Sequence, residues 1–330
     1  MPELIYIEEA VRGHPHAQRI LKRFPRATVV PCNRYTEIFN PKAQNFRLQK
    51  QSPALILAEK HGTTVLPAPP GYGIGSRHNY YFSHMLNCPY DCRYCFLQGM
   101  YRSAHYVIFI NYDKYIDEIN ETIAKSSESV HFFSGYDADS LAYDPITGFV
   151  DQFLPVFRQQ PSALLELRTK STQIRSLLRQ SPIDNCVVAF SFTPQSLGEL
   201  ENGVPSLSRR LAAMQTLQEN GWQLGIRFDP LIYHKDYRTS YADLFREVFD
   251  RLDVSRIHSV SLGTFRVPER FFEGMWKLYP EEPFFSGSLQ RNPANGMVGY
   301  SQTLENEMIG YCESVLLTYI SSEQYFPCKV

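Results

Sequence analysis

The 330-residue sequence predicts an α/β fold: a partial (β/α)6 TIM-type barrel with a small N-terminal α/β segment and a C-terminal helical closure. Three observations predict it. From about residue 76 onward, six short β-rich runs alternate with helical patterns. Their spacing, roughly 30 residues per unit, is what a parallel strand–helix–strand crossover requires. Six units are too few for a closed eight-stranded barrel, so an open barrel fits better; a doubly wound sheet is the alternative with the same rhythm.

The elements follow in order. Residues 1–75 form the N-terminal segment, with strands at Leu4–Ile7 and Thr28–Pro31 around a helix over His16–Arg23. The Pro/Gly-rich stretch Leu66–Gly73 reads as a rigid linker. Residues 76–280 form the barrel. Its strands are expected at Tyr80–Leu86, Ser129–Phe133, Ala163–Arg168, Cys186–Phe192, Gln223–Phe228 and His258–Leu262. Its helices are expected at Tyr115–Ala124, Val150–Arg158, Thr172–Arg179, Ser206–Glu219, Tyr241–Arg251 and Glu269–Leu278. In residues 281–330, Glu281–Gly299 is turn-rich and Glu305–Ile320 reads as a closing helix.

Composition narrows the function classes. With 43% hydrophobic and 20% charged residues, the chain can bury a substantial core. A net charge of −1 excludes a molecule that binds nucleic acid by bulk charge alone. The charge is uneven: residues 1–60 hold 10 Lys+Arg against 5 Asp+Glu. No apolar run approaches the roughly 20 residues of a membrane span. The start, MPELIYIEEA, lacks a signal-peptide pattern, so a cytoplasmic protein with no membrane partner is expected. Seven cysteines, an odd number with three clustered, argue for metal ligation over a disulfide framework.

Those three are Cys88, Cys92 and Cys95, spaced C-x3-C-x2-C and beginning just after the first barrel strand. Loops at the carboxyl ends of barrel strands are where chemistry belongs. Three thiolates in so short a span can hold three corners of an iron–sulfur cube and leave the fourth iron open. Structural zinc is the competing reading, but it wants four closed ligands. Cys32, Cys186, Cys312 and Cys328 are single and far apart, so no second pair completes such a set. Arg227 and Asp229 end the fifth strand, where they could pair with each other, form a structural ion pair or face a cofactor.

The triad on its loop, with Tyr94 before the last cysteine, resembles the radical S-adenosylmethionine superfamily. The longer pattern resembles the spore photoproduct lyase family, of which the chain looks like a divergent member. It comprises CPYDCRYCFLQGM (Cys88–Met100), HFFSGYDADSLA (His131–Ala142), Leu167–Leu178 with Arg168-Thr169-Lys170, Phe190-Ser191-Phe192, Arg209–Tyr233 and, near the start, Leu4–Glu8. The resemblance implies a [4Fe–4S] cluster on Cys88, Cys92 and Cys95, with S-adenosylmethionine on the open iron. It also implies a one-electron donor of flavodoxin or ferredoxin type and a 5′-deoxyadenosyl radical that takes hydrogen from a substrate carbon. Lys170 and Ser191 would contact the methionine part of the cofactor with Tyr94 beside them, and Asp139 and Asp229 would belong to the same cofactor lining.

The family splits a thymine–thymine crosslink, so damaged DNA is an implied partner, with Arg12, Arg19, Lys22 and Arg23 as local cations. The chain departs from the family pattern at several points. Tyr136 stands where relatives carry the cysteine that returns hydrogen to the product. Ala138 replaces a serine, and Phe96 replaces a tyrosine. The stretch matching a basic DNA-gripping hairpin, Phe284–Ser301, holds Arg291 as its only cation, and Ser301–Val330 is acidic on balance. Tyr136 and Cys312 are the two candidate hydrogen donors, Cys312 if the closing helix caps the site and otherwise as a buried small residue. The same chemistry on a non-DNA substrate is the second reading, and a zinc- or cluster-bearing nucleic-acid-binding module the third. The sequence leaves the oligomeric state open.

Overall fold

The computed structural model describes residues 2–328. The chain opens with β1 (Leu4–Glu8), α1 (Pro15–Arg23), β2 (Thr28–Cys32), α2 (Phe46–Gln51), β3 (Leu55–Ala58) and β4 (Val65–Pro67). Next come β5 (His78–Phe82), β6 (Met85–Leu86), β7 (Asp91–Cys92), α3 (Leu97–Met100), β8 (Tyr106–Phe109) and α4 (Tyr112–Ala124). Strand and helix then alternate through β9 (Val130–Ser134), α5 (Asp144–Thr147), α6 (Phe149–Arg158), β10 (Ala163–Thr169), α7 (Arg175–Leu178) and β11 (Cys186–Ser191). After β12 (Glu201–Asn202), α8 (Leu207–Glu219), β13 (Gln223–Leu231), α9 (Tyr237–Phe249) and β14 (Ile257–Thr264) the barrel ends. The remainder is β15 (Arg266–Pro268), α10 (Glu269–Leu278), α11 (Pro283–Ser286), β16 (Gln290–Asn292), β17 (Met297–Gly299), α12 (Gln302–Leu316) and β18 (Tyr325–Pro327).

The six expected barrel strands are β5, β9, β10, β11, β13 and β14, paired in parallel in that order. They read as nearly continuous apolar runs because helices cover the outer face while side chains fill the inner one. In α6, Phe149, Val150, Phe153, Leu154 and Phe157 make the apolar stripe that docks it on the sheet. Two strands extend the expected sheet. β18 adds a parallel edge on β14, and β4 adds an antiparallel edge on β5.

Several expectations are corrected. The stretch read as a linker from Leu66 begins inside β4, where Leu66 and Pro67 pair with Tyr81 and Tyr80. The first barrel strand stops at Phe82, and Met85–Leu86 leave it to pair with β8 in another sheet. That second sheet runs β2-β1-β3-β8-β6, so the N-terminal strands are completed by residues from beyond position 75. The helix expected over Thr172–Arg179 is the single turn α7. The turn-rich stretch after Glu281 contains the hairpin β16–β17, which β15 extends to three strands. Lys329 and Val330, part of the C-terminal charge balance, lie outside the described residues. Among the described residues no helix is long and apolar enough to cross a membrane.

Candidate active site

The cysteine loop is pinned on both sides before any ligand is considered. Asn87 adopts a left-handed backbone (φ 71°), a conformation asparagine tolerates better than most residues. Its amide nitrogen donates to the carbonyls of Ser103 (2.8 Å) and His105 (3.1 Å), and its oxygen accepts from the Cys88 N–H. From the other side Lys50, on α2, donates its ammonium to the carbonyls of Cys88 (2.9 Å) and Tyr90 (3.3 Å). The N-terminal segment therefore holds the loop directly. Beyond Cys95 the chain turns into α3, which meets α10 backbone to backbone. A Cβ on Gly99 would lie 1.8 Å from the Phe271 carbonyl oxygen, so only glycine permits this approach.

The three thiols line one end of a cleft at the carboxyl ends of the barrel strands. Burial raises the pKa of all three, with Asp139 adding to the effect at Cys88 and Glu201 at Cys92. Among the described residues no three His, Cys, Asp or Glu side chains converge tightly enough for a single metal ion. The thiols border the open volume of the cleft. Three soft sulfur donors around open volume suit a polynuclear iron–sulfur group better than one zinc ion, which wants four converging ligands.

Glu201 organises the next part of the cleft. It sits on β12, paired opposite Cys92 on β7. One carboxylate oxygen accepts from Lys170 Nζ (2.8 Å) and from the Tyr94 hydroxyl, and the other from Arg210 Nη2 (2.9 Å). Burial would raise this carboxyl, but Lys170 and Arg210 overcome it and hold the pKa down to about 2. Arg210 also donates to the Ser191 carbonyl (2.7 Å), fixing the end of β11. Lys170, Tyr94 and Ser191 are thereby brought together, and all three line the cleft. Asp139 lines it too, yet both of its oxygens are engaged by the chain: they accept from Leu141 N, Ala142 N and Thr169 Oγ1, and from Lys170 N (2.6 Å). Its shown contacts position the loop and the backbone of Lys170.

Tyr136 enters from the loop after β9. Gly135 makes the turn possible: its φ is +86°, and a Cβ there would strike Ser140 Oγ at 2.6 Å. The half-buried Tyr136 ring packs on Tyr81 (centroids 4.3 Å apart) and on Phe96 (5.4 Å), the residue after Cys95. Burial, reinforced by Asp137, raises its phenol pKa, so it keeps its hydrogen at neutral pH.

The Arg227–Asp229 pair considered from the sequence does not form. Arg227 folds back over Gly225, where a Cβ would meet its guanidinium at 2.8 Å, and donates from Nη2 to Glu166 (2.7 Å) and Ser259 Oγ (2.9 Å) in the barrel interior. Asp229 accepts instead from Arg266 (3.1 Å), which also stacks its guanidinium on Tyr72. Asp229, Arg266 and Tyr72 line the cleft together with Arg168, whose other contact is Glu166 (2.9 Å).

Cys312 is not brought to this place. It is fully buried in the core on α12, away from the cleft lining, and burial pushes its thiol up to about 12. Glu201, Arg210, Arg266 and Tyr72 were missed by sequence reasoning. A buried arginine on the inward face of α8 was the one local signal, since charges are rarely buried without a partner. On the hairpin, Arg291 is answered by Glu269 (2.8 Å) and Glu273 (3.6 Å).

Comparison with known proteins gives the family and the fold. The spore photoproduct lyase family model matches residues 73–277. Spore photoproduct lyase of Geobacillus sp. (strain Y412MC61) is 21% identical over 268 residues, covering 77% of this chain and 74% of the relative. That of Bacillus subtilis (strain 168) is 20% identical over 262 residues, with the same coverage. In fold, the chain superposes over its full length on 98% of a spore photoproduct lyase mutant solved with bound AdoMet and dinucleoside spore photoproduct (TM-score 0.85, 16% identity). A second solved spore photoproduct lyase, complexed with dinucleoside spore photoproduct, gives a TM-score of 0.82 at 16% identity and the same coverage.

Proposed function

The chain belongs to the spore photoproduct lyase family, and from that premise we propose that it is a radical S-adenosylmethionine lyase acting on a pyrimidine photoproduct of damaged DNA. One observation carries the reading: Cys88, Cys92, Cys95, Lys170, Ser191 and Tyr136 all line a single cleft at the barrel mouth. When bound, a [4Fe–4S] cluster with S-adenosylmethionine supplies an electron and a primary carbon radical able to take hydrogen from a substrate carbon.

The chain's residues divide the remaining work. Cys88, Cys92 and Cys95 would hold the cluster through their thiolates. The Lys170 ammonium, kept in place by Glu201, would meet the cofactor carboxylate, and the Ser191 hydroxyl would offer a second polar contact. Tyr94 and Phe96 wall the cleft, and Phe265 and Pro230 close it with apolar surface that keeps water from the radical. Asp139 keeps the backbone of Lys170 in register. Tyr136 would return a hydrogen atom from its hydroxyl to the product radical, the task that relatives give to a cysteine, and the tyrosyl radical left behind would regain its phenol by taking one electron from the carrier protein and one proton; Cys312 lies too deep in the core to share the task. Asp229 tethers Arg266 at the substrate end of the cleft. A flavodoxin- or ferredoxin-type protein supplies the electron, and cytoplasmic residence suits an open iron site that oxidants would destroy.

Anaerobic reconstitution tests the reading, with about four irons per chain expected. Reduced protein should then release 5′-deoxyadenosine from S-adenosylmethionine and convert dinucleoside spore photoproduct to its two thymidines. A colourless protein holding one zinc, or no 5′-deoxyadenosine, overturns the radical chemistry. If 5′-deoxyadenosine forms while the photoproduct persists, the lesion is not the substrate.

A further inference from the structure

A groove runs behind the cysteine loop, between residues 40–46, α3 and α10. Its walls include Phe46, Met100 and Phe271, and its rim carries Arg102, Arg270 and Lys277. All three rim cations are exposed, and among the described residues none has a carboxylate partner. The one acidic residue of the lining, Glu273, faces Arg291 at 3.6 Å. Exposed cations without an acidic partner also occur on α1 (Lys22 and Arg23), but here three of them ring a single groove.

We infer that this groove docks an acidic one-electron carrier protein of the flavodoxin or ferredoxin kind. The inference rests on the proposed radical chemistry and adds the place where the electron enters. Three features support that occupant. The floor, α3, starts two residues after Cys95, and four helical residues span only about 6 Å. Phe271 on the groove wall stacks on Phe96 in the cleft (centroids 6.3 Å apart), so packed rings join the two spaces. The Gly99–Gly274 backbone contact locks α10 to α3, so a protein seated on α10 is held at a set distance from the thiols. A trough of mixed polar and apolar lining rimmed by cations complements the acidic rim of such a carrier and speeds its encounter. One electron passes from the flavin hydroquinone, which becomes the semiquinone, to the cysteine-held cluster. A nucleic-acid strand in the same groove would lie across α3 from the thiols and could not present its carbon in the cleft.

The test compares the reconstituted wild type with an Arg270→Glu/Lys277→Glu variant. Flavodoxin hydroquinone and dithionite serve as alternative reductants, and the dissociation constant for flavodoxin is titrated at low and high salt. We expect at least a tenfold weaker Kd for flavodoxin, a salt dependence largely abolished, and slower reduction followed by absorbance, with dithionite-driven 5′-deoxyadenosine formation unchanged. An unchanged flavodoxin Kd overturns the inference. So does an equal loss with dithionite, or weaker binding of duplex DNA in place of flavodoxin. Wild-type protein that makes no 5′-deoxyadenosine even with dithionite refutes the radical reading, an outcome that flavodoxin binding alone cannot produce.

Discussion

Glu201 shows how one buried carboxylate can assemble a site. It holds Lys170, Arg210 and the Tyr94 hydroxyl at once. Glu201→Gln leaves two buried cations short of a counter-charge, and breaking such a pair costs about 3–5 kcal/mol, which a urea midpoint at neutral pH reads directly. Because the folded pKa is depressed from 4.5 to about 2, the stabilisation is complete above the ordinary carboxyl value and is lost as pH falls through the folded one. The wild type should therefore lose stability on acidification across that window more steeply than Glu201→Gln. Tyr136 carries a different expectation. Tyr136→Phe keeps the ring packed on Tyr81 and Phe96 but removes the hydrogen that its proposed role returns. Release of 5′-deoxyadenosine should persist while formation of repaired thymidine falls at least tenfold, and Tyr136→Cys should restore it. If Tyr136→Phe repairs as well as the wild type, the phenol is not the donor.

Helix α3 depends on its contact with α10. With a Cβ predicted to land 1.8 Å from a carbonyl oxygen, Gly99→Ala must push α3 away from α10. Overpacking of this kind costs about 1–3 kcal/mol. Because Cys95 leads straight into α3, iron bound per chain after reconstitution should fall along with thermal stability; an alanine variant with full iron content would show that the loop is independent of this contact. The parallel strands were legible because burial on both faces writes them as continuous apolar runs such as Cys186–Ser191. β12 was not, since two residues, Glu201 and Asn202, carry no period at all. Its place follows only from pairing with Cys92, more than a hundred residues earlier. Of the readings open for Arg227 and Asp229, the mutual pair does not form, for a related reason, while a structural ion pair does. Two residues apart on one strand, they look like partners, yet Gly225 and the barrel interior offer Arg227 a better one in Glu166.

At the level of the whole molecule, charge placement governs what can be gripped. The hairpin's Arg291 is committed to Glu269 and Glu273, so the hairpin offers little to phosphate. Duplex affinity should be low, with a shallow salt dependence; Gln290→Lys/Asn292→Lys, at exposed positions, should steepen the log K against log salt slope by about 0.9 per new phosphate contact. An unchanged slope would mean that DNA does not reach the hairpin. The cysteine triad was legible from its spacing, whereas Lys170, Ser191 and Tyr136 were singled out only through the family resemblance of the runs that hold them. The way the two sheets share the chain was not legible, since register between distant strands leaves no local trace. That sharing bears on the order of synthesis. β1, β2 and β3 leave the ribosome first, but their sheet is unfinished until β8 has been made, and the cysteine loop lies inside the interval. The nascent chain must therefore hold an open sheet edge while its thiols emerge. Lys50 on α2 bonds the Cys88 carbonyl, so the stretch of synthesis that completes the sheet also supplies the loop that α2 fastens.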